Sequence, residues 1–139
     1  SSVIGESGFG FERKSNGRAV RFPHIGGVRI GRAVEVGSLT TVCRGAIEDT
    51  VLHDGVKIDD HVHIAHNCTV GEDTFLTACV ELSGGVNVGR QVWIAPNVTV
   101  NSHVTIGDRA TVGLGAVVRK DVLDDQFMLG NPARPSGRQ

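Results

Sequence analysis

Two histidines and two adjacent glycines could carry acyl-transfer chemistry if the chain brings them together. Gly84 lies 18 positions after His66, with Gly85 beside it, and Ser102 lies 36 positions after His66, with His103 beside it. A neutral imidazole suits the role of general base toward an attacking amine near pH 7. A glycine N–H suits the role of donor to an oxyanion. A base and an oxyanion donor at this spacing would suit amide formation from an activated acyl group, provided that the chain retraces its path every 18 residues.

A six-residue aliphatic period predicts such a path. The residues are Leu52, Ile58, Ile64, Val70, Leu76, Leu82, Val88, Ile94, Val100, Ile106, Val112 and Val118. A small or β-branched residue stands two positions before each of them, so both side chains point inward from one short strand. Turn-forming residues often follow, and three such strands close a triangular coil of 18 residues. The same period is present at Ile30, Val36 and Val42, but the spacing from Val42 to Leu52 is ten, so the phase slips there.

The predicted fold is therefore an all-β, parallel β-helix built from hexapeptide repeats. Coils would stack about 4.8 Å apart, which places His66, Gly84 and Ser102 along one edge of the prism and the two histidines about 10 Å apart. Residues 1–27 are predicted to form the first coil and one projecting loop (8–27), residues 28–119 the main domain, and residues 120–139 a turn and a Pro-containing tail.

Length and composition narrow the classes of function. The 139 residues fit one domain and carry a net charge of −1 without a basic run, which argues against binding duplex nucleic acid. No apolar stretch approaches the roughly 18 residues that span a membrane, and no signal peptide is visible. Three widely spaced cysteines, Cys43, Cys68 and Cys79, fit small packing residues in a reducing cytoplasm better than a disulfide framework.

Four segments resemble one known family in order and spacing. They are residues 3–5, residues 8–11, TTVCRGAIEDT at residues 40–50 and IAHN at residues 64–67. They resemble the UDP-3-O-acylglucosamine N-acyltransferases of lipid A synthesis. The resemblance implies a left-handed coil, a homotrimer and a nucleotide-linked amino sugar as acceptor. It also implies that His66 is the catalytic base, that His103 is a second site histidine and that Gly84 donates to the oxyanion.

The sequence also departs from this family. Cys43 replaces the usual Asp of the TTxDRG segment, and the N-terminal domain and C-terminal helical extension of the family are missing from the 139 residues. Residues 130–135 (GNPARP) instead look like the tail of coenzyme A-using hexapeptide acetyltransferases. Acyl carrier protein and coenzyme A therefore both remain candidate thioester donors, as co-substrates rather than permanently bound cofactors.

Further residues are predicted to bind substrates. Candidates for the acceptor are Asp59, Asp60, Asn67, Gly85, Phe9, Phe11 and His24, and candidates for the acyl donor are Leu114, Ala116, Arg119, Asn131 and Arg134. Each also has a purely structural interpretation. The acids, glycines and histidines would be turn or loop residues. The phenylalanines would hold the loop in place, and the tail residues would cover the end of the prism.

Three alternative functions stay open. One is an acetyl-coenzyme A-dependent sugar N- or O-acetyltransferase. Another is a metalloenzyme like the γ-class carbonic anhydrases, which share the fold, although Gly71 and Ile30 stand where two of the three ligands would fall and no metal site is expected. The last is a non-catalytic scaffold, in which His66 would be a solvated turn residue.

Overall fold

The computed structural model describes residues 1–137, which form short β-strands and no α-helix, so no helix in this range could span a membrane. In chain order the strands are β1 Val3–Ser7, β2 Phe11–Arg13, β3 Ala19–Arg21, β4 Val28–Ile30, β5 Glu35–Val36, β6 Thr41–Arg44, β7 Thr50–Leu52, β8 Lys57–Ile58, β9 His63–Ile64, β10 Thr69–Val70, β11 Phe75–Leu76, β12 Glu81–Leu82, β13 Asn87–Val88, β14 Trp93–Ile94, β15 Thr99–Val100, β16 Thr105–Ile106, β17 Thr111–Val112, β18 Val117–Val118, β19 Phe127–Leu129 and β20 Arg134–Pro135.

Three sheets form the faces of a triangular prism. Face 1 contains β1, β6, β9, β12, β15 and β18; face 2 contains β4, β7, β10, β13 and β16; face 3 contains β5, β8, β11, β14, β17, β19 and β20. The chain visits the faces in the same order in every coil, so the strands of successive coils pair in parallel. β20 is the exception on face 3, because it pairs antiparallel with β19. The predicted left-handed parallel β-helix is confirmed.

Most coils have the predicted 18-residue register. Glu81, for example, pairs with His63 before it and with Thr99 after it. An earlier coil is longer, because Val42 pairs with Ile64, 22 positions later. The additional residues form an insert at 45–49 between β6 and β7, which explains the slip in the aliphatic period.

The core consists of the two alternating positions predicted to point inward. All of these positions are buried from Thr50 to Val118. Burial of one aliphatic side chain contributes roughly 1.5–3 kcal/mol to the free energy of folding. Because the inward side chains of successive coils stack on one another, their burial holds the coils together. Ile30 is 42 % exposed despite its inward position, because β4 is the last strand of face 2 and no further strand covers it.

Corners of the prism turn through residues in the left-handed backbone region. His61, Asn67 and His103 have φ values of 60°, 61° and 61°, and the six-residue period of such residues extends through Arg109. Backbone N–H groups at several corners point outward and are capped by an aspartate one coil later. The capped groups are those of Arg32, Ser38, Arg90 and Asp108, and the acceptors are Asp54, Asp60, Asp108 and Asp124, respectively.

Residues 8–27 leave the coil between β1 and β4 and project as predicted. β2 and β3 pair as an antiparallel hairpin. The segment returns to the prism at the insert, where the N–H groups of Ile25 and Gly26 donate to the carbonyls of Ala46 and Gly45. The projecting segment is thereby anchored beside the corner that follows β9.

Residues 120–129 add a further partial coil, which corrects the expectation that the repeat ends at residue 119. Val122 and Met128 are buried in the core, at 2 % and 6 % exposure. The period was hidden in the sequence because this coil is shorter, with Thr111 pairing with Phe127 only 16 positions later. Arg138 and Gln139, the end of the predicted tail, lie outside the described residues.

Candidate active site

A shallow depression of about 410 Å³ lies at the corner between faces 1 and 2. It is lined by Phe9, His63, Ala65, His66, Glu81, Ser83, Gly84, Ser102 and His103. The structure therefore brings together the three residues for which catalytic roles are predicted, His66, Gly84 and His103. Phe9 reaches the same depression from the projecting segment.

His66 is held in one orientation and one tautomer by its neighbour Asn67. The Asn67 Oδ1 accepts from the Ala46 N–H at 3.1 Å, while its Nδ2 donates to the Glu48 carbonyl at 3.3 Å. These two bonds fix the amide orientation, so the His66 Nδ1, 2.9 Å from the same Oδ1, must donate to it. The neutral ring then carries its lone pair on Nε2, the atom that can accept a proton.

The His66 ring packs directly over Gly84. A Cβ atom added to Gly84 would lie 2.7 Å from His66 Cε1 and 2.8 Å from Nε2, so only glycine leaves room for the imidazole there. The Gly85 N–H donates to the His66 carbonyl at 2.9 Å, whereas the Gly84 N–H has no acceptor among residues 1–137. At the equivalent position one coil later stands Ser102 rather than a capping aspartate. This N–H is therefore free to donate to a ligand.

His103 occupies the far end of the depression. Its ring lies against Gly85, where an added Cβ would collide with Nδ1, and its backbone N–H donates to the Gly84 carbonyl at 3.0 Å. The side chain is exposed and takes the left-handed corner conformation. Two imidazoles thus flank a stretch of backbone without side chains, as the spacing predicts.

The projecting segment covers one side of His66. An added Cβ on Gly8 would lie 3.2 Å from His66 Cδ2, and the His24 ring meets the His66 ring edge-on at 5.3 Å between centroids. His24 is only 6 % exposed and stacks on Phe22. The prediction that His24 contacts the acceptor is thus not supported by its placement, because the segment folds over it and keeps it off the wall of the depression.

Of the two predicted aromatic contacts, Phe9 lines the depression and Phe11 does not. Phe9 is 87 % exposed and touches Phe11 at 4.9 Å between centroids. The Arg21 guanidinium lies 4.5 Å from the Phe11 ring centroid and donates to the Gly8 carbonyl at 3.1 Å. Phe11 therefore fastens the hairpin, as the alternative interpretation predicts, and leaves the Phe9 ring free beside the site.

Several predicted binding residues lie elsewhere. Asp59, Asp60 and Leu114 occupy the corner between faces 3 and 1, one corner away from His66, and Asp60 caps the Ser38 N–H. Ala116 is fully buried at an inward position of its repeat. The prediction that Ala116 binds the acyl donor is therefore wrong, because its methyl group belongs to the core.

A basic depression of about 220 Å³ lies toward the C-terminal end of the prism. It is lined by Arg119, Lys120, Pro132, Ala133 and Arg134. None of its three cations forms an ion pair within residues 1–137. Lys120 follows Ser102 by one coil, which places the depression on the same edge as His66, about 14 Å along the prism axis. Asn131 is exposed in the adjoining turn but does not line it.

The sequence-based search missed four lining residues. His63, Glu81 and Ser83 face outward on face 1 next to the candidate base, and Lys120 extends the edge. The 18-residue arithmetic that relates His66 to Gly84 also relates His63 to Glu81 and Ser102 to Lys120. The signal was therefore present in the sequence.

The histidines near His66 do not converge on one point as metal ligands would. His63 lines the depression with its Nδ1 2.6 Å from the Thr41 Oγ1, while His61 is exposed at the neighbouring corner. No three His, Cys, Asp or Glu side chains within residues 1–137 converge on one point. The described residues thus supply no metal-ligand set at this corner.

Two cysteines are buried close to the site. Cys43 lies beneath Gly8 at 8 % exposure, and burial raises the pKa of its thiol. Burial also raises the pKa of the Cys68 thiol to about 12. Both are therefore neutral packing residues near pH 7, as predicted, whereas Cys79 is exposed at a corner.

A family model and several curated proteins are similar in sequence to this chain. Residues 49–84 and 85–120 match the bacterial transferase hexapeptide model. The UDP-3-O-acylglucosamine N-acyltransferase of Janthinobacterium sp. (strain Marseille) is 39 % identical over 121 residues, covering 87 % of this chain and 34 % of the relative. The chain thus spans about a third of the length of the curated relatives that it matches.

Solved structures are similar over much of the chain. The Arabidopsis UDP-N-acetylglucosamine acyltransferase is 25 % identical with a TM-score of 0.85, over 98 % of this chain and 46 % of that one. PerB from Caulobacter crescentus, solved with coenzyme A and GDP-perosamine, is 29 % identical with a TM-score of 0.64, over 79 % of this chain and 54 % of that one.

Proposed function

The chain belongs to the bacterial transferase hexapeptide family, and we propose that it carries the catalytic site of a sugar N-acyltransferase. The enzyme would move an acyl group from a thioester to the amino group of a nucleotide-linked amino sugar. One observation carries the proposal: His66 Nε2 lies against Gly84, whose N–H has no acceptor among residues 1–137, and both residues line the same depression. A base and an oxyanion donor at one point are the requirements of acyl transfer to nitrogen.

The mechanism follows from these two groups. His66 takes a proton from the sugar amine as the nitrogen attacks the thioester carbonyl. The Gly84 N–H donates to the oxygen as negative charge develops there, at a backbone that is already fixed by the coil. Collapse of the intermediate breaks the C–S bond, and the imidazolium returns the proton to sulfur. No permanently bound cofactor takes part in this scheme.

The basic depression supports a donor that carries phosphate. Phosphopantetheine on acyl carrier protein and coenzyme A both bear phosphates, and Arg119, Lys120 and Arg134 are cations that form no ion pair with the other described residues. Transfer of an acetyl group from coenzyme A is the second candidate, favoured by PerB, whose solved complex holds coenzyme A and a nucleotide sugar. Phe9 would stack on the nucleotide base or the sugar of the acceptor.

Removing two of these cations is expected to weaken donor binding. For Arg119→Ala/Lys120→Ala, the KM of the thioester donor should rise about tenfold at low salt, since two exposed ion pairs are lost, while kcat stays near wild type. The effect should shrink as salt is added. Arg90→Ala, at a different corner, is the matched control. A donor KM that is unchanged at low salt would place the phosphates elsewhere.

A product-mass assay tests the proposed function. The protein is incubated with UDP-linked and dTDP-linked amino sugars, including UDP-3-O-acylglucosamine, and with acetyl-coenzyme A or 3-hydroxyacyl carrier protein in parallel. A hydroxyacylated sugar supports the lipid A-type reaction, and an acetylated sugar supports the second candidate. No product from any pair would contradict both and favour a scaffold.

We also propose a homotrimer in the cytoplasm. Phe75 and Trp93 stand side by side on face 3, 41 % and 45 % exposed, with ring centroids 5.8 Å apart, which suits packing against a neighbouring prism. The exposed free thiol of Cys79 suits a reducing compartment. A single-chain mass in light scattering would contradict the trimer.

A further inference from the structure

Glu81 is a carboxylate in the candidate active site that pairs with no arginine or lysine among residues 1–137. It lies on face 1 between His63 and Thr99 in register, and it lines the same depression as His66. Among residues 1–137, four carboxylates are half-buried: Asp49, Asp54, Glu81 and Asp108. The three aspartates each pair with an arginine. Glu81 accepts only from the Ser83 hydroxyl, at 3.2 Å to each oxygen.

A carboxylate that has lost part of its hydration is stabilised by a hydrogen bond from a charged donor. The pairs at Asp49, Asp54 and Asp108 supply such donors on other parts of the prism, whereas no arginine or lysine lines the depression around Glu81. Hydrogen bonds in which a partner is ionised are shorter and stronger than neutral ones. Apart from the histidines His63, His66 and His103, no residue that lines this depression can carry a positive charge, so a positively charged group from outside the chain can pair with Glu81.

We propose that Glu81 binds the ammonium group of the acceptor sugar and makes the site select amines over hydroxyls. This inference rests on the proposed function, in which the nucleophile is an amine. An amino sugar brings a positive charge that Glu81 can pair with, whereas the hydroxyl counterpart brings none. Glu81 is thus a specificity-determining residue beside the base.

The proton balance gives Glu81 and His66 separate tasks. The bound ammonium has no lone pair, so it first releases one proton through His66 to solvent. The neutral amine then attacks, the C–N bond forms and the C–S bond breaks, and a second nitrogen proton passes through His66 to the departing sulfur. Glu81 stays ionised throughout and accepts an N–H of the nitrogen.

The test compares acceptors that differ only at the reacting group. UDP-3-O-acylglucosamine serves as substrate, and its 2-hydroxyl counterpart serves as a competitive inhibitor, so no turnover of the hydroxyl compound is needed. In Glu81→Gln, we expect the KM of the amine to rise about tenfold, the lower end for a bond to a charged group because the site is half-exposed. The inhibition constant of the hydroxyl compound should not change. Glu81→Asp should recover part of the loss, and Glu72→Gln, exposed at another corner, should match wild type.

The possible outcomes distinguish a failure of the proposed role of Glu81 from a failure of the proposed function. A wild-type protein that acylates the amine, together with a Glu81→Gln variant of unchanged KM, overturns only the role of Glu81. An equal loss for the amine and the hydroxyl compound also overturns it, since a general distortion of the site would act on both. A wild-type protein that forms no product overturns the proposed function and this inference together.

Discussion

Replacement of His66 by alanine is expected to lower kcat by roughly 10²–10⁴-fold, the usual contribution of a positioned general base. The His66 imidazole packs against Gly84 with its Nε2, and Asn67 holds its tautomer. Without it the amine must lose its proton to water during attack. The measurement is single-turnover acyl transfer at saturating acceptor and donor, with product mass as the readout.

The matched control is His53→Ala, which removes an exposed histidine that does not line the depression. It should keep wild-type kcat, and both variants should keep the wild-type melting temperature, because neither side chain belongs to the core. Added imidazole should restore part of the activity of His66→Ala only. Equal kcat values for the two variants would remove His66 from the mechanism and favour the interpretation as a turn residue.

The six-residue period of the sequence was sufficient to predict which residues lie along the same edge of the prism as His66. Once three strands close a coil of 18 residues, His66, Gly84 and Ser102 must stack, because strand pairing fixes the register. The same arithmetic brings Glu81 beside His63 and Lys120 beyond Ser102. Both relations follow from strand register alone, so these residues could have been predicted from the sequence.

Residues outside the regular period could not be placed in this way. The two hydrogen bonds that orient Asn67 come from Ala46 and Glu48, which belong to the insert, and an insert has no register to extrapolate. His24 lies in the projecting segment, whose return path depends on contacts with that insert. Ala116 is a different error, because its position two residues before Val118 in the repeat already predicts the burial that the structure shows.

Substitution of Gly84 by alanine is expected to lower kcat by roughly 100-fold, the cost of misplacing a reacting group by about 1 Å. The new methyl group would lie 2.7 Å from His66 Cε1, closer than any real contact, and the ring must move away. The backbone of Gly84 is not in the left-handed region, so alanine adds no strain of its own and the N–H remains in place. The measurement is kcat with circular dichroism as a check on the fold.

A double mutant identifies the cause of this loss. If Gly84→Ala acts by displacing the imidazole, then adding it to His66→Ala should cost nothing further, because the group that it displaces is already gone. The single and double variants lacking His66 would then share one kcat. If the two losses multiply instead, the methyl group blocks the carbonyl oxygen from the Gly84 N–H or excludes substrate. The oxyanion site would then be sensitive to the methyl group independently of the position of His66.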